Sequence, residues 1–465
     1  MANKKTSFCA LILAAGKGTR MFSDTPKVLQ PILDKPLIYY ILQAIKKSEI
    51  GNTAVMLGFS GEKVEEWLKN ERADVDILWQ KEQRGTGHAV RLAQEWWSDF
   101  ENILVLPGDT PHITHETLKN LIEQHVESKC DCSFLSFETS DPTGYGRVIR
   151  NQSNIKIVEE KEASEEERMC KEVNSGMYIF KTKTLAQIIN ELTCINKQNE
   201  YYLTEVLTLI QKQSGRIKAI KSPYSSEFFG VNNPLQLAES TSLMRENILK
   251  KWMLSGVRFM DPSTTWVGPE VKFKKDILIE PNVQLYGNST IGTGSRIGSF
   301  SILKNAKIEE NVTIVGSTRI NDSIVKSNSI IGPFVFIREN SELLEEVLVG
   351  RFVEIKKSSI SKKTKIPHLS YIGDSKIGEN TNIGAGTITC NYDGQKKHST
   401  IIGDDCFIGS NTIIVAPINI GNKATTAAGS TITKNVPESS LAISREKQKI
   451  IENWYSRKRE KDGGK

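Results

Sequence analysis

From about residue 256 onward, aliphatic residues return every six positions: Leu285, Ile291 and Ile297, and later Ile402, Ile408, Ile414 and Ile420. Glycine often follows, as in Ile291-Gly292, Ile297-Gly298, Ile377-Gly378, Ile383-Gly384, Ile408-Gly409 and Ile420-Gly421. A half-buried strand has period two and a helix period 3.6, so neither sustains a spacing of six. Such a repeat is the signature of a β-helix solenoid, with short strands stacked coil on coil and the aliphatic side chain inside. At three hexads per coil, residues 256–436 supply roughly ten coils. The small residue beside each aliphatic is expected to allow a tight corner. The periodicity leaves the hand of the coil open.

The first half has another rhythm. Phe8–Leu13, Thr53–Leu57, Ile103–Leu106 and Cys132–Phe137 are short apolar runs, and helical patterns such as Leu37–Lys47 and Thr117–Glu127 lie between them. That alternation predicts an α/β sheet covered by helices on both faces. Ligands of such sheets bind outside the carboxyl ends of the strands, where Gly16–Arg20 and Gly108-Asp109 fall. Lys4 and Lys5 ahead of Phe8–Ala15 give the look of a short secretory leader. The run ends, however, in Gly16-Lys17-Gly18-Thr19-Arg20, with charge where small cleavage-site residues belong. A buried strand feeding a phosphate-binding loop is the better reading. Pro234–Lys251, apolar and charged without internal Gly or Pro, reads as a connecting helix, and residues 446–465 as a basic helical or disordered tail.

A chain of 465 residues exceeds one ordinary core, so at least two domains are expected. No apolar run approaches the roughly 20 residues that span a bilayer, so no membrane association is expected. Seven cysteines without regular pairing or metal-like spacing suit free thiols in a reducing cytoplasm. The net charge is +6, of which +4 falls in residues 445–465. A nucleic-acid partner calls for a stronger basic face, so none is expected.

Gly16 and Gly18 can bring backbone N–H groups to a phosphate, with Arg20 and Lys27 adding charge. The loop is neither GxxxxGK[ST] nor a full GxGxxG, so kinase and dehydrogenase readings lose their usual support. Taken singly, Asp109 as a helix cap and Asn232 as an N-cap before Pro234 are equally good readings. In order along the chain, however, stand "LAAGKGTRM", "PKVLQP", "QRGTGHA", "PGD", "DPTGYGR", "VEEK", "VNSG", "EYYLTE" and "GVNNPLQL", then "PHLSYIGD" and "NIGAGTITCNYDG". The first motifs resemble the sugar-phosphate nucleotidyltransferases. The whole set resembles the bacterial bifunctional N-acetylglucosamine-1-phosphate uridyltransferase and glucosamine-1-phosphate acetyltransferase family, over nearly all of the chain.

The resemblance implies an α/β nucleotidyltransferase (Rossmann-like) domain, followed by a left-handed parallel β-helix of hexapeptide repeats. The corresponding domains are 1–231, a linker helix 232–255, and 256–465 with the basic tail. It implies nucleotide and sugar contacts from Leu13, Ala14, Ala15, Gly16, Lys27, Gln80, Gly85, Thr86, Gly146, Glu159, Asn174 and Asn232. Lys27 and Arg20 would serve the chemistry of uridylyl transfer from UTP, and Asp109 with Asn232 would hold Mg²⁺. Two hard oxygen donors, short of a full cage, suit a substrate-bridged Mg²⁺. Relatives commonly carry Tyr where Pro107 stands, so a nucleotide-side contact is expected to be missing. The acidic residues of 159–167 beyond Glu159 read as a solvated loop.

For the second half, the resemblance implies that His368 is the general base for acetyl transfer from acetyl-CoA to the amine of glucosamine-1-phosphate. Arg338, Lys356, Tyr371 and Asn382 would bind that substrate, with Asn391 also positioning it, while Ala385, Asn391, Tyr392, Ser410, Ala428 and Arg445 would line acetyl-CoA. Arg338 precedes Glu339-Asn340 where relatives often have Pro-Gly, and Lys357 is expected on the surface. Cys390, with His398 eight residues on, offers a rival thiol route. The family packs three solenoids side by side, completing the acetyl site with neighbouring chains, so a homotrimer is implied. Two other readings remain open: a single-activity nucleotidyltransferase with a regulatory solenoid, and a non-catalytic scaffold that binds sugar nucleotides.

Overall fold

The computed structural model describes residues 8–151 and 154–461; Lys4 and Lys5 lie outside them. These residues divide into two compact units on either side of the Met244–Arg245 bond.

The first unit is a mixed sheet. Its strands run in the order Ile217–Ser222, Cys132–Glu138, Glu172–Lys181, Asn102–Pro107, Phe8–Ala14, Asn52–Leu57 and Asp76–Trp79, with the Arg147–Asn151/Asn154–Val158 hairpin off this path. Phe8–Ala14 lies inside the sheet, parallel to both neighbours, with Cys9–Ile12 fully buried. A strand so placed is core, which removes the leader reading. The chain goes from it to Asn52–Leu57 and Asp76–Trp79 on one side, then crosses to Asn102–Pro107 on the other. That reversal makes a crevice at the carboxyl ends of the central strands. The expected helix Leu37–Lys47 is present, and the second runs His115–Ser128, capped by Thr114, whose hydroxyl oxygen accepts the Thr117 N–H. Pro234–Leu254 forms one helix. Its start is capped by Asn233, whose Oδ1 accepts the Gln236 N–H, while Gln236 Oε1 accepts the Asn232 N–H. Asn233 takes the capping role, and the Asn232 side chain remains available for the crevice.

The second unit is a parallel β-helix. Leu278 pairs with Arg296 and Thr290 with Lys307, so one coil takes 18 or 17 residues. Leu285, Ile291, Ile297, Ile402, Ile408, Ile414 and Ile420 are each 1 % exposed or less, forming a column through the solenoid. Each such burial contributes about 1.5–3 kcal/mol. The glycines beside them serve close approach rather than left-handed geometry. A Cβ on Gly292 would stand 2.4 Å from the Glu309 backbone, and on Gly298 2.5 Å from Gly316 N. Left-handed backbone falls instead on residues such as Asn305, Asn311, Asn328, Asn380 and Asn411. Buried hydroxyls add a second ladder: Ser289 and Ser295 accept from the Ala306 and Val312 N–H groups one coil on. One coil is longer, Ser375 pairing with Thr400, and its extra residues form a loop bridged between Tyr392 and Lys397. Within the tail, Trp454–Lys461 is helical.

Candidate active sites

A cleft of about 730 Å³ opens at the carboxyl edge of the sheet. It is lined by Leu13 to Arg20, Pro26 to Val28, Gln80, Gly85, Thr86, Pro107 to Asp109, Glu159, Asn174 and Asn232, among others. Every first-half residue singled out from the sequence lies there except Gly146. That glycine is buried behind the wall, its carbonyl accepting the Asn174 N–H at 2.8 Å. A Cβ on it would meet Ile157 at 2.9 Å and Glu159 Oε2 at 3.7 Å, so it supports Asn174 and Glu159.

The loop after Phe8–Ala14 turns at Gly18, whose φ is +58°. A Cβ there would meet Lys27 Cβ at 3.0 Å, so glycine both permits the turn and admits Lys27. Lys27 Nζ forms an ion pair with Asp109 and a hydrogen bond to Asn232 Oδ1 at 3.2 Å; Arg20 donates to the same oxygen at 3.0 Å. Asp109 follows the Asn102–Pro107 strand, and the Gly108 N–H donates to the Leu13 carbonyl at 2.9 Å. Two hard oxygens from distant segments thus converge on one cation. The sequence reading lacked Tyr178, Thr204, Gln198 and Glu200, which complete the wall. Thr204 donates to Glu159 at 2.9 Å, while burial pushes the Glu159 carboxyl up. Pro107 faces Gly176, 3.7 Å from the Cβ position there. The acidic stretch after Glu159 is more than a solvated loop. Glu160 pairs with the buried Arg147 at 2.7 Å, and Ser164 and Glu167 form a capping box on Glu165–Arg168.

On the solenoid, one edge carries part of the second set. Gly386 N–H donates to the Leu369 carbonyl, Asn411 N–H to Ala385, and Gly429 N–H to Ser410. His368, Ala385, Ser410 and Ala428 therefore occupy equivalent corners of successive coils, all exposed or half-buried. Arg445 extends the line by donating to the Ala428 carbonyl at 2.6 Å. The Gly384 and Gly386 N–H groups serve ladder bonds to Ile408 and Leu369, whereas that of Ala385 does not.

A neighbouring corner stacks Arg338 on Lys356, and Glu354 on Tyr371, in register. Lys356 is 3 % exposed and lies 3.4 Å from both Asp374 and Glu339. It is pushed above the usual lysine range by hydrogen bonding with Lys397 and by the Asp374 and Glu339 carboxylates; Lys397 is pushed down correspondingly. Asn391 donates to Asp374 and lies 3.4 Å from the Tyr371 hydroxyl. Tyr392 is exposed on the projecting loop, and Asn382 stands on another face, between Lys365 and Phe407. Lys357 is exposed as expected, because it is the left-handed residue that ends the strand. Glu339 and Asn340 both adopt left-handed φ, 56° and 58°. The Glu339 carboxylate reaches Arg338 and Lys356 together. Cys390 is half-buried, and His398 Nε2 bonds Asp393 Oδ2 at 2.7 Å rather than the thiol. Among the described residues no helix is long and apolar enough to cross a membrane, and no cluster of three or more His, Cys, Asp or Glu could hold a metal.

Fold and sites together define a transferase class in which a nucleotidyltransferase domain precedes a left-handed β-helix of hexapeptide repeats. The nucleotidyl transferase family pattern matches residues 9–224, and the hexapeptide repeat of succinyl-transferase matches 399–434. The chain is 46 % identical to a bifunctional protein GlmU of Thermosipho melanesiensis, covering 96 % of this chain and 97 % of that one. It is 42 % identical to a bifunctional protein GlmU of Clostridioides difficile, covering 98 % and 99 %. The chain belongs to the family of bifunctional GlmU proteins.

Proposed function

We propose that the chain makes UDP-N-acetylglucosamine in two steps. The solenoid transfers acetyl from acetyl-CoA to glucosamine-1-phosphate. The α/β unit then joins the product to UTP and releases pyrophosphate. The observation that carries this reading is the stacked edge of His368, Ala385, Ser410 and Ala428, which a merely regulatory solenoid does not need.

In the first step His368 takes the amine proton as general base. Arg338, Lys356 and Tyr371 grip the sugar phosphate, with Asn382 and Asn391 positioning the substrate. Small side chains at Ala385, Ser410 and Ala428 let pantetheine lie against the edge, with Tyr392 and Arg445 beside it. The Ala385 N–H, outside the ladder bonds, is available to the developing oxyanion. Transfer is direct: the free amine attacks the thioester carbon, and coenzyme A leaves as its thiol. The pairing of His398 with Asp393 leaves Cys390 without that base.

In the second step an oxygen of the sugar phosphate attacks the α-phosphorus of UTP. Both reactants are anions, so Arg20 and Lys27 must offset their repulsion. Asp109 and Asn232 fit Mg²⁺, because their oxygens already converge on the Lys27 ammonium. When bound, Mg²⁺ supplies charge neutralisation at the phosphates. With Asp109 engaged by the metal, Lys27 would be free to pair with the nucleotide phosphates. Gln80, Gly85 and Thr86 take the uracil, while Gly146, Glu159 and Asn174 serve the sugar end. Functional domains at 1–231, 232–255 and 256–465, a homotrimer and a cytoplasmic setting complete the proposal. The product is a precursor of bacterial envelope polysaccharides.

The test supplies glucosamine-1-phosphate, acetyl-CoA, UTP and Mg²⁺, and follows the acetylated intermediate and the nucleotide sugar separately. Both should form, the intermediate first. Nucleotide sugar formed only from preacetylated substrate would reduce the protein to a single activity.

A further inference from the structure

Gln80 directly follows the Asp76–Trp79 strand, its backbone N–H donating to the Leu57 carbonyl at 2.7 Å. Its side chain, in the cleft wall, is nearly all buried. The amide nitrogen Nε2 lies 3.1 Å from the Gly85 carbonyl, an atom that can only accept. That contact favours nitrogen at this end of the amide. The same Nε2 lies 3.0 Å from His88 Nδ1, so both amide hydrogens are used and Nδ1 accepts. The imidazole proton then belongs on Nε2. Burial, with help from Arg91 and Arg84 and against Glu82, pulls the His88 pKa down and keeps the ring neutral.

Backbone contacts place both acceptor residues. Gly85 has φ +100°, and a Cβ there would stand 2.6 Å from the Tyr201 carbonyl. Tyr201 N–H donates to the Arg84 carbonyl, Gly87 N–H donates to that of Tyr201, each at 2.8 Å, and His88 sits on the Thr86–Leu92 helix. The amide therefore has one orientation, and the atom left to the cleft is the carbonyl oxygen Oε1.

We infer that His88 is a positioning residue for pyrimidine selectivity, holding Gln80 so that it offers an acceptor to the base. Uracil presents an N3–H donor to such an oxygen, whereas cytosine presents a bare N3 lone pair. An amide free to flip would offer its NH₂ to cytosine equally well. The inference rests on the proposed placement of uracil at Gln80.

The test measures kcat/KM for UTP and for CTP on the full chain, by pyrophosphate release. In His88→Phe, which has no acceptor, the UTP-to-CTP ratio should fall about tenfold or more, through KM rather than kcat. His88→Asn, whose Oδ1 falls where Nδ1 stands, should recover most of the ratio. Gln80→Leu should abolish it, and acetyl transfer should be unchanged in all three. An unchanged ratio in a folded His88→Phe, beside a collapsed one in Gln80→Leu, overturns the lock and leaves the base placement standing. An unchanged ratio in Gln80→Leu overturns the placement and the lock with it. Should His88→Phe fail to fold, His88→Ala reads the same ratio.

Discussion

The cleft draws its residues from Leu13 to Asn232, through loops of unlike length at the edge of a mixed sheet. The solenoid edge draws His368, Ala385, Ser410 and Ala428 from successive coils by one stacking rule. In the first, position in the sequence says little about position in space. In the second, the repeat turns sequence spacing into a ruler. The cleft also has internal partners for its charges, with Lys27 held by Asp109 and Asn232. The imidazole edge is open, with His368 exposed on a single chain. The cleft therefore has to exchange contacts as substrate enters, while the edge presents His368 directly.

The largest expected effect tests the open edge. His368→Ala should lower acetyl transfer by roughly 10²–10⁴-fold, whereas Cys390→Ala should keep most of it. A decaying acetyl-Cys390 formed at the turnover rate, with an inactive Cys390→Ala, would reverse that assignment. The matching cut in the cleft is Asp109→Ala, expected to lower uridylyl transfer by about 10²–10³-fold and leave acetylation close to intact. Parallel loss of both activities in a folded variant would break the separation of the two sites.

Acid should separate the units as well. Burial lowers His112 and His125, both in the first unit, from 6.5 to about 4. The unfolded chain binds those protons at higher pH than the folded one. Stability is thus full above about pH 6.5 and is lost as pH falls toward 4, by about 3 kcal/mol for each histidine. The described histidines of the second unit, His368 and His398, are exposed and half-buried. Acid titration followed by hydrogen exchange should show the first unit opening at higher pH, and coincident opening would contradict this.

A smaller effect is expected at Glu339, whose carboxylate spans the two cations assigned to the sugar phosphate. Glu339→Gln should lower KM for glucosamine-1-phosphate a few-fold with little change in kcat, because a competing anion is removed. A raised KM would make Glu339 a support rather than a competitor. Smallest of all, Pro107→Tyr should tighten UTP binding modestly by adding a ring to the wall beside Gly176. Titration calorimetry that finds unchanged or weaker binding would make Pro107 neutral.

The sequence by itself determined the solenoid. A six-residue period works through local strand lengths and contacts with the next coil, so the chain declares it directly. It also determined the strand-and-loop character of Phe8–Arg20, since a buried apolar run followed by a charged glycine turn has few other solutions. It did not reveal why the solenoid glycines are glycine. That reason is the backbone of the next coil, 2.4 Å from a Cβ on Gly292. Only the tertiary structure decided that Asn233 caps the helix and Asn232 joins Lys27, that Glu160 neutralises Arg147, and that Glu339 bridges Arg338 and Lys356. It likewise decided that Gly85 and His88 fix the Gln80 amide. These choices are contests between polar groups for partners, and where the segments are distant in sequence the partners become neighbours only when the sheet has closed.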